Sequence, residues 1–508
     1  MAASRSAAKG KGSKIYDVVI IGAGPCGLAT AARLRESHPS ALFTDEEQAR
    51  YSWINRNGRQ TSIKDYRSGK IRPASTARNI DMLVLDSTSA SWMTRGNLLL
   101  EKLEIKYVRS PMFFHPDPQD RDALLAYCTQ NKDESLCQQE IAGCVGREVS
   151  KHRKKRKAGG KLCPARINER ERHDYFAPSA TAFQWFCAEC VERYSLQNVV
   201  VQDSVESLDY DFVPGIRMDE KRLFSLGTKK SAYLARTRGF AHALELESDH
   251  AIVPPRIRRR IRDSQATTVL VIGGGLTSAQ VADSLLQQGV SKVILVLRGP
   301  LKIKPFDVDL AWVAKWRNQQ KAAFWTADDI QERLAMAKAA RDGGSVTPRF
   351  AKILRNWIAE GKLQLCTHTE WVIETVPLVT NMPAFEHVVF ATGLNSDVKT
   401  MPVLRTINDK YPIESSGGLP LIKDNLMWRK DVPLFVTGKM AMLQVGPGAG
   451  NLEGARLCAE RVAWGVINML DEPCEDENDC CGGRDVSGSH ESYVLGIGSK
   501  FDILDVGA

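Results

Sequence analysis

Tyr16-Asp-Val-Val-Ile-Ile-Gly-Ala-Gly-Pro-Cys-Gly27 decides the fold. Its first half is a continuous apolar run of the kind that forms a buried strand. Beyond Gly27 the spacing of Leu28, Ala31, Ala32 and Leu34 predicts an amphipathic helix. Between them Gly22, Gly24 and Gly27 stand at the GxGxxG positions. In such a turn the first glycine allows the sharp bend and the second lets the backbone approach a pyrophosphate. The third lets helix and strand pack closely. The helix start then offers free N–H groups and a positive dipole end to phosphate oxygens. A second short apolar run, Ala41 to Phe43, is followed by Asp45 and Glu46. An acidic residue about 20 positions beyond the turn is expected to hold a ribose hydroxyl. Asp45 is placed for that role, with Glu46 the near alternative.

The same idea returns far downstream. Thr268 to Ile272 predicts a strand, Gly273 to Gly275 a turn, Leu276 to Gln288 a helix, and Lys292 to Leu297 the next strand. Here the motif reads GxGxxS, with Gly273, Gly275 and the small Ser278 in the three slots. Arg298 follows the second strand where an acid would be expected, and a guanidinium there can pair with a 2′-phosphate. The reading favours NADPH over NADH at this site. Two dinucleotide units in one chain predict an α/β protein with two Rossmann-like three-layer domains.

Composition fits that plan. The chain has 508 residues, of which 43% are apolar and 25% charged, enough for two or three compact units. No apolar stretch approaches a bilayer span, and residues 1 to 14 lack the apolar core of a secretory signal, so a cytoplasmic protein is expected. Twelve cysteines without a regular framework predict free thiols, and no pair has zinc-ligand spacing with partners. The net charge of +9 comes largely from Lys151 to Lys157 and Arg256 to Arg262. Two local runs do not make a nucleic-acid surface; the first also has the composition of a nuclear-import signal.

Two dinucleotide turns together with Glu386-His-Val-Val-Phe-Ala-Thr-Gly-Leu394 resemble the two-dinucleotide-binding flavoproteins. The FATGL stretch is similar to the FATGY signature of the lysine and ornithine N-hydroxylases. Glu386 stands where that family has Asp, and Leu394 where it has Tyr, which bears on the amine substrate rather than the fold. Pro433 to Asn451 is similar to the closing FAD segment, with Gly438 and Gly446 meeting the cofactor and a helix over Leu452 to Val466. The resemblance implies FAD at the first turn, Gly393 near a cofactor, and a nicotinamide domain inserted into the FAD domain. The boundaries read from the sequence are a leader at 1–13, a first FAD part at 14–262 and a nicotinamide domain at 263–384. A closing FAD part follows at 385–470 and a tail at 471–508. Residues 130 to 175 read as a polar insertion. The segment 232 to 250 lacks the apolar strand that the family carries there, which predicts poor pairing and a weakened FAD site.

The activity implied by the resemblance is that of an NADPH-dependent flavin monooxygenase. Such an enzyme acts through a C4a-hydroperoxyflavin on a small-molecule substrate with molecular oxygen as the second one, and needs no membrane or nucleic-acid partner. Arg109 to Asp117 looks like the flavin-side segment, with His115 and Asp117 as titratable candidates for catalysis. Cys187-Ala-Glu-Cys190 has dithiol spacing but lies inside an amphipathic helix pattern, which favours packing. Trp312 and Trp316, four apart, read as one buried helical stripe. Two alternatives stay open: a flavin-linked reductase using the CxxC pair, and a degenerate flavoprotein-like regulator.

Overall fold

The computed structural model describes residues 14–36, 39, 41–42, 63–64, 71–72, 80–130, 137–145, 167, 169–212, 222–229, 232–235, 239–241, 253–313, 317–369, 385–393 and 397–471. The leader, Asp45, Glu46, the run Lys151 to Lys157, Trp316, Leu394 and the tail lie outside the described residues.

Val18–Ile21 forms a central strand because Val18, Val19 and Ile20 are all buried, each contributing about 1.5–3 kcal/mol on leaving water. It lies in a six-stranded sheet ordered Met427–Arg429, Val432–Val436, Gly239–Ala241, Val18–Ile21, Met82–Asp86, Val200–Gln202. All neighbours pair in parallel except the edge strand Met427–Arg429. Pro25–Arg35 and Leu452–Asp471 pack on this sheet against one another, with Cys26, Ala29, Ala455 and Ala459 at the contact. Small side chains let the two helices approach closely. A buried ion pair from Arg33 Nε to Glu460 Oε2 at 2.5 Å fixes their register.

A second, four-stranded parallel sheet is ordered Leu363–Cys366, Lys292–Val296, Thr268–Ile272, His387–Phe390. The helices Leu276–Gln287 and Pro348–Ala359 share its core. In chain order this unit falls between the strands Gly239–Ala241 and Val432–Val436 of the first sheet. A third sheet joins Ile15–Tyr16, Ala232–Ala235, Leu223–Thr228 and Val205–Asp211. Among the described residues no helix is long and apolar enough to cross a membrane.

Four expectations are corrected. The strand beside Val18–Ile21 is Met82–Asp86, and Ala41 and Leu42 lie in a turn. Met82 to Leu85 is a longer unbroken apolar run with every residue buried, so it fills the sheet better than a three-residue one. The segment 232–250 does contain strands. Gly239 and Phe240 pair with Val19 and Ile20, and Phe240 and Ala241 with Phe435 and Val436. A short strand flanked on both sides is held by its neighbours' amides, whatever its own pattern. His387–Phe390 belongs to the second sheet, so the boundary expected between 384 and 385 falls one strand too early. The closing helix runs on to Asp471 rather than ending at Val466. Within the expected insertion, Gln138–Glu140 pairs with Phe176–Pro178. The basic run Arg256 to Arg262 is a helix with Ile257 buried.

Candidate functional site: two glycine turns

The first turn is shaped by steric necessity. Gly22 adopts φ +106°, open only to glycine. A Cβ on Gly27 would stand 2.0 Å from the Gly22 carbonyl oxygen, so helix and strand meet backbone to backbone. Among the described residues a Cβ on Gly24 would meet nothing within 4 Å, which leaves that face of the turn open to a phosphate. Gly24 caps the helix without a side-chain hydrogen bond, Pro25 opens it, and its first turn holds no acid. These features fit an external anion such as a dinucleotide pyrophosphate.

The acid beside this turn is Asp86, at the end of the adjacent strand. Its Oδ2 accepts from the Ala23 amide at 2.8 Å and its Oδ1 from the Thr88 amide at 2.8 Å. The Met93 amide donates to the Ala23 carbonyl at 2.8 Å. Asp86 was not singled out in the sequence, and the acids expected near this turn, Asp45 and Glu46, lie outside the described residues. It was missed because the interval from the turn far exceeds the usual spacing of about 20 residues. The apolar run that Asp86 terminates was the available signal.

The second turn is built on the same plan. Gly275 caps Leu276–Gln287 with no side-chain bond and no acid in the first turn, while the Ser278 hydroxyl donates to the Gly275 carbonyl at 2.6 Å. A Cβ on Gly273 would lie 2.3 Å from the Ala391 carbonyl oxygen, where the FATGL strand ends. Arg298 is exposed just past the strand Lys292–Val296. The Glu386 carboxylate accepts from the Thr268 amide at 2.6 Å. That departure from the family pattern therefore serves strand pairing.

Gly438 is buried just past the end of Val432–Val436, and among the described residues a Cβ on Gly393 would meet nothing within 4 Å. Gly446 packs instead on the apolar side: its Cβ would touch Trp312 at 3.7 Å and Phe324 at 3.9 Å. Trp312 is buried edge-on to Phe324 at 6.0 Å, the core role expected of it.

The loop from Arg109 to Asp117 runs between the two units. Arg109 donates to the carbonyls of Lys304, Pro305, Phe306 and Ser345 and to the Ser345 hydroxyl, at 2.7 to 3.3 Å. Burial lowers its pKa to about 10. Asp117 is fully buried and accepts from Tyr194 Oη at 2.8 Å, Arg193 Nη1 at 2.5 Å and the Gln119 amide at 2.8 Å. Those bonds tie it to the helix Ala180–Arg193. His115 is also fully buried; its Nε2 lies 2.8 Å from the Arg121 carbonyl, while among the described residues its Nδ1 is buried without a partner. A proton on Nε2 satisfies that contact and leaves Nδ1 a bare acceptor. Burial, and then the nearby Arg456 cation, hold its pKa well below the ordinary value. Arg456, itself buried, donates to the Phe113 carbonyl at 2.7 Å and anchors the loop to the closing helix.

Cys187 and Cys190 are buried free thiols inside Ala180–Arg193, and burial pushes both pKa values up. That is the opposite of what a reactive dithiol needs.

No family model and no curated protein matches the chain. Solved structures do. A cadaverine monooxygenase from Erwinia amylovora, bound to FAD, aligns with TM-score 0.55 at 13% identity over 90% of this chain and 95% of that one. The fold is that of the two-dinucleotide-binding flavoproteins. An ornithine N-hydroxylase from Kutzneria sp. 744, with reduced FAD, NADP+ and L-ornithine, gives 0.55 at 12% identity, covering 90% of this chain and all (100%) of that one. An L-lysine 6-monooxygenase from Pseudomonas syringae gives 0.51 at 14% identity, with the same coverage, 90% and 100%. The flavoprotein fold explains why the two glycine turns recur on two separate sheets, each turn following a strand with parallel neighbours.

Proposed function

We propose that this chain is an FAD-dependent oxidoreductase that takes reducing equivalents from NADPH and inserts one oxygen atom into a small molecule. The observation that carries the reading is the pairing of two glycine turns, each at a helix start bare of side-chain caps, with the face of Gly24 open. Gly22, Gly24, Gly27 and Asp86 would hold FAD, with Gly438 at the closing segment. Gly273, Gly275, Ser278 and Arg298 would hold the nicotinamide cofactor. FAD, when bound, supplies hydride acceptance and oxygen activation, so the chain itself needs no nucleophile. Its own residues bind, orient and exclude water. Buried Cys187 and Cys190 speak against the reductase alternative.

The structural neighbours are named for amine substrates, cadaverine, ornithine and lysine, and a nucleophilic nitrogen is the first substrate class to test. The purified protein should be yellow and should oxidise NADPH faster than NADH, with oxygen uptake that rises when an amine is added. A colourless protein that takes up no added FAD would overturn the proposal. NADPH oxidation without oxygen uptake would overturn the monooxygenase part alone.

A further inference from the structure

The two turns differ in one respect. Where Gly24 faces open space, Gly275 does not: the Cα of Gly344 lies 4.0 Å from the position its Cβ would take. Seen from the other side, a Cβ on Gly344 would stand 2.9 Å from the Gly274 carbonyl carbon and 2.9 Å from the Gly275 amide nitrogen. The second glycine of such a turn is bare so that a pyrophosphate can approach it. In this chain the backbone of Gly344 lies in van der Waals contact with that face.

The covering segment is anchored from several sides. Ser345, next to Gly344, is buried, and its carbonyl and hydroxyl accept from Arg109 Nη1 at 3.1 Å and Nη2 at 2.9 Å. The same guanidinium bonds the carbonyls of Lys304, Pro305 and Phe306, so one side chain of the flavin-side loop gathers two loop segments of the nicotinamide unit. Lys302 Nζ donates to the Asp342 carbonyl at 2.8 Å, and the Val346 amide to the Lys302 carbonyl at 2.9 Å. At the far end Arg341 Nη1 donates to the Pro447 carbonyl at 2.9 Å, in the closing segment of the first unit. Arg109 and Arg341 thus hold the cover by its two ends, and both ends are tied to elements of the flavin side.

We infer that the second nucleotide site is self-capped by Asp342 to Ser345, that Arg109 is the positioning residue that latches the cap, and that NADPH binds only as the cap lifts. Binding of the nicotinamide cofactor is thereby coupled to the contact between the two nucleotide units. The inference rests on the NADPH assignment proposed above. Its energetic form is simple: apparent affinity equals the affinity of the open site reduced by the fraction of molecules that are open. Loosening the cap raises that fraction and tightens apparent binding.

The test uses the FAD-loaded full chain, with NADP+ as the titrant in calorimetry. Gly344→Ala places a methyl group against the Gly274–Gly275 backbone and must push the cap off. Arg109→Gln removes the guanidinium fork. Each change is expected to tighten NADP+ binding about tenfold, the equivalent of roughly one charge-assisted hydrogen bond, with FAD content unchanged. In the unaltered protein, hydrogen exchange at residues 343–346 should speed up when NADP+ is added. Exchange that slows or stays constant while NADP+ binds overturns the cap. Equal or weaker binding by both variants, with FAD retained, also overturns it and leaves the function proposal standing. Should the chain and both variants hold FAD yet bind no NADP+, the NADPH assignment fails and the cap with it.

Discussion

The carboxylate of Asp86 holds the amide of Ala23 at 2.8 Å, so the end of one strand braces the middle of the first glycine turn. Asp86→Ala leaves the Ala23 and Thr88 amides without their carboxylate, and the FAD dissociation constant should rise about tenfold. Asp86→Asn keeps an acceptor in place and should retain most of the affinity. Equal FAD affinity in Asp86→Ala and the parent chain, read by flavin fluorescence, would remove Asp86 from the site.

Gly24 and Gly27 separate binding from folding. Gly24→Ala adds a methyl group into open space, so stability should fall by less than about 1 kcal/mol. The same methyl group stands in the path of a phosphate, and FAD affinity should drop roughly tenfold or more. Gly27→Ala meets the Gly22 carbonyl oxygen at 2.0 Å, a backbone atom that cannot swing away. Its cost should reach the upper end of overpacking, about 3 kcal/mol. Denaturant unfolding and FAD titration of both variants check the pair; a Gly24→Ala protein that unfolds early and a stable Gly27→Ala protein would reverse the assignment.

Both glycine turns were legible because strand, turn and helix lie within one short stretch of chain. The spacing in Val18 to Gly27 and in Thr268 to Ser278 is enforced by contacts between near neighbours. Asp86 was not legible by the usual interval, since its place follows from which distant apolar run wins the slot beside Val18–Ile21. The strand Gly239–Ala241 has no apolar pattern of its own to read; it exists through Val19, Ile20, Phe435 and Val436. Arg109 was noticed only as the start of a flavin-side loop. Its acceptors at 304–306 and 345 belong to a different unit of the fold, and no local pattern announces them. The cover that Gly344 lays over Gly275 is invisible for the same reason.

Arg298 is exposed just past the strand Lys292–Val296, and the proposed function assigns it the 2′-phosphate of NADPH. Arg298→Ala should lower the preference for NADPH over NADH by at least about tenfold, the loss expected for charge-assisted hydrogen bonds to a phosphate. Steady-state kcat/KM for the two cofactors measures it. An unchanged ratio would make Arg298 a bystander.

Cys187 and Cys190 lie in the helix interior, their thiols pushed up by burial. Neither should react with a thiol reagent until the protein unfolds, and Cys187→Ala with Cys190→Ala should leave NADPH oxidation unchanged. Native-state labelling of either thiol, or loss of NADPH oxidation in a double variant that stays folded, would restore the dithiol reading.

His115 makes stability depend on pH in a direction its environment fixes. Folding buries the ring beside Arg456 and holds its pKa well below 6.5. Above pH 6.5 neither the native nor the unfolded ring carries a proton, and the residue adds no pH dependence. As pH falls below 6.5 the unfolded ring takes up a proton that the native one refuses. Stability then declines by up to about 1.4 kcal/mol per pH unit until the native pKa is reached. His115→Gln removes that proton while keeping a polar side chain, so its stability should fall less steeply between pH 6.5 and 5. Urea unfolding of both proteins across that window gives the comparison. Identical slopes would mean that the buried ring titrates as it does in water, and the cation beside it would then have to be screened by something other than protein.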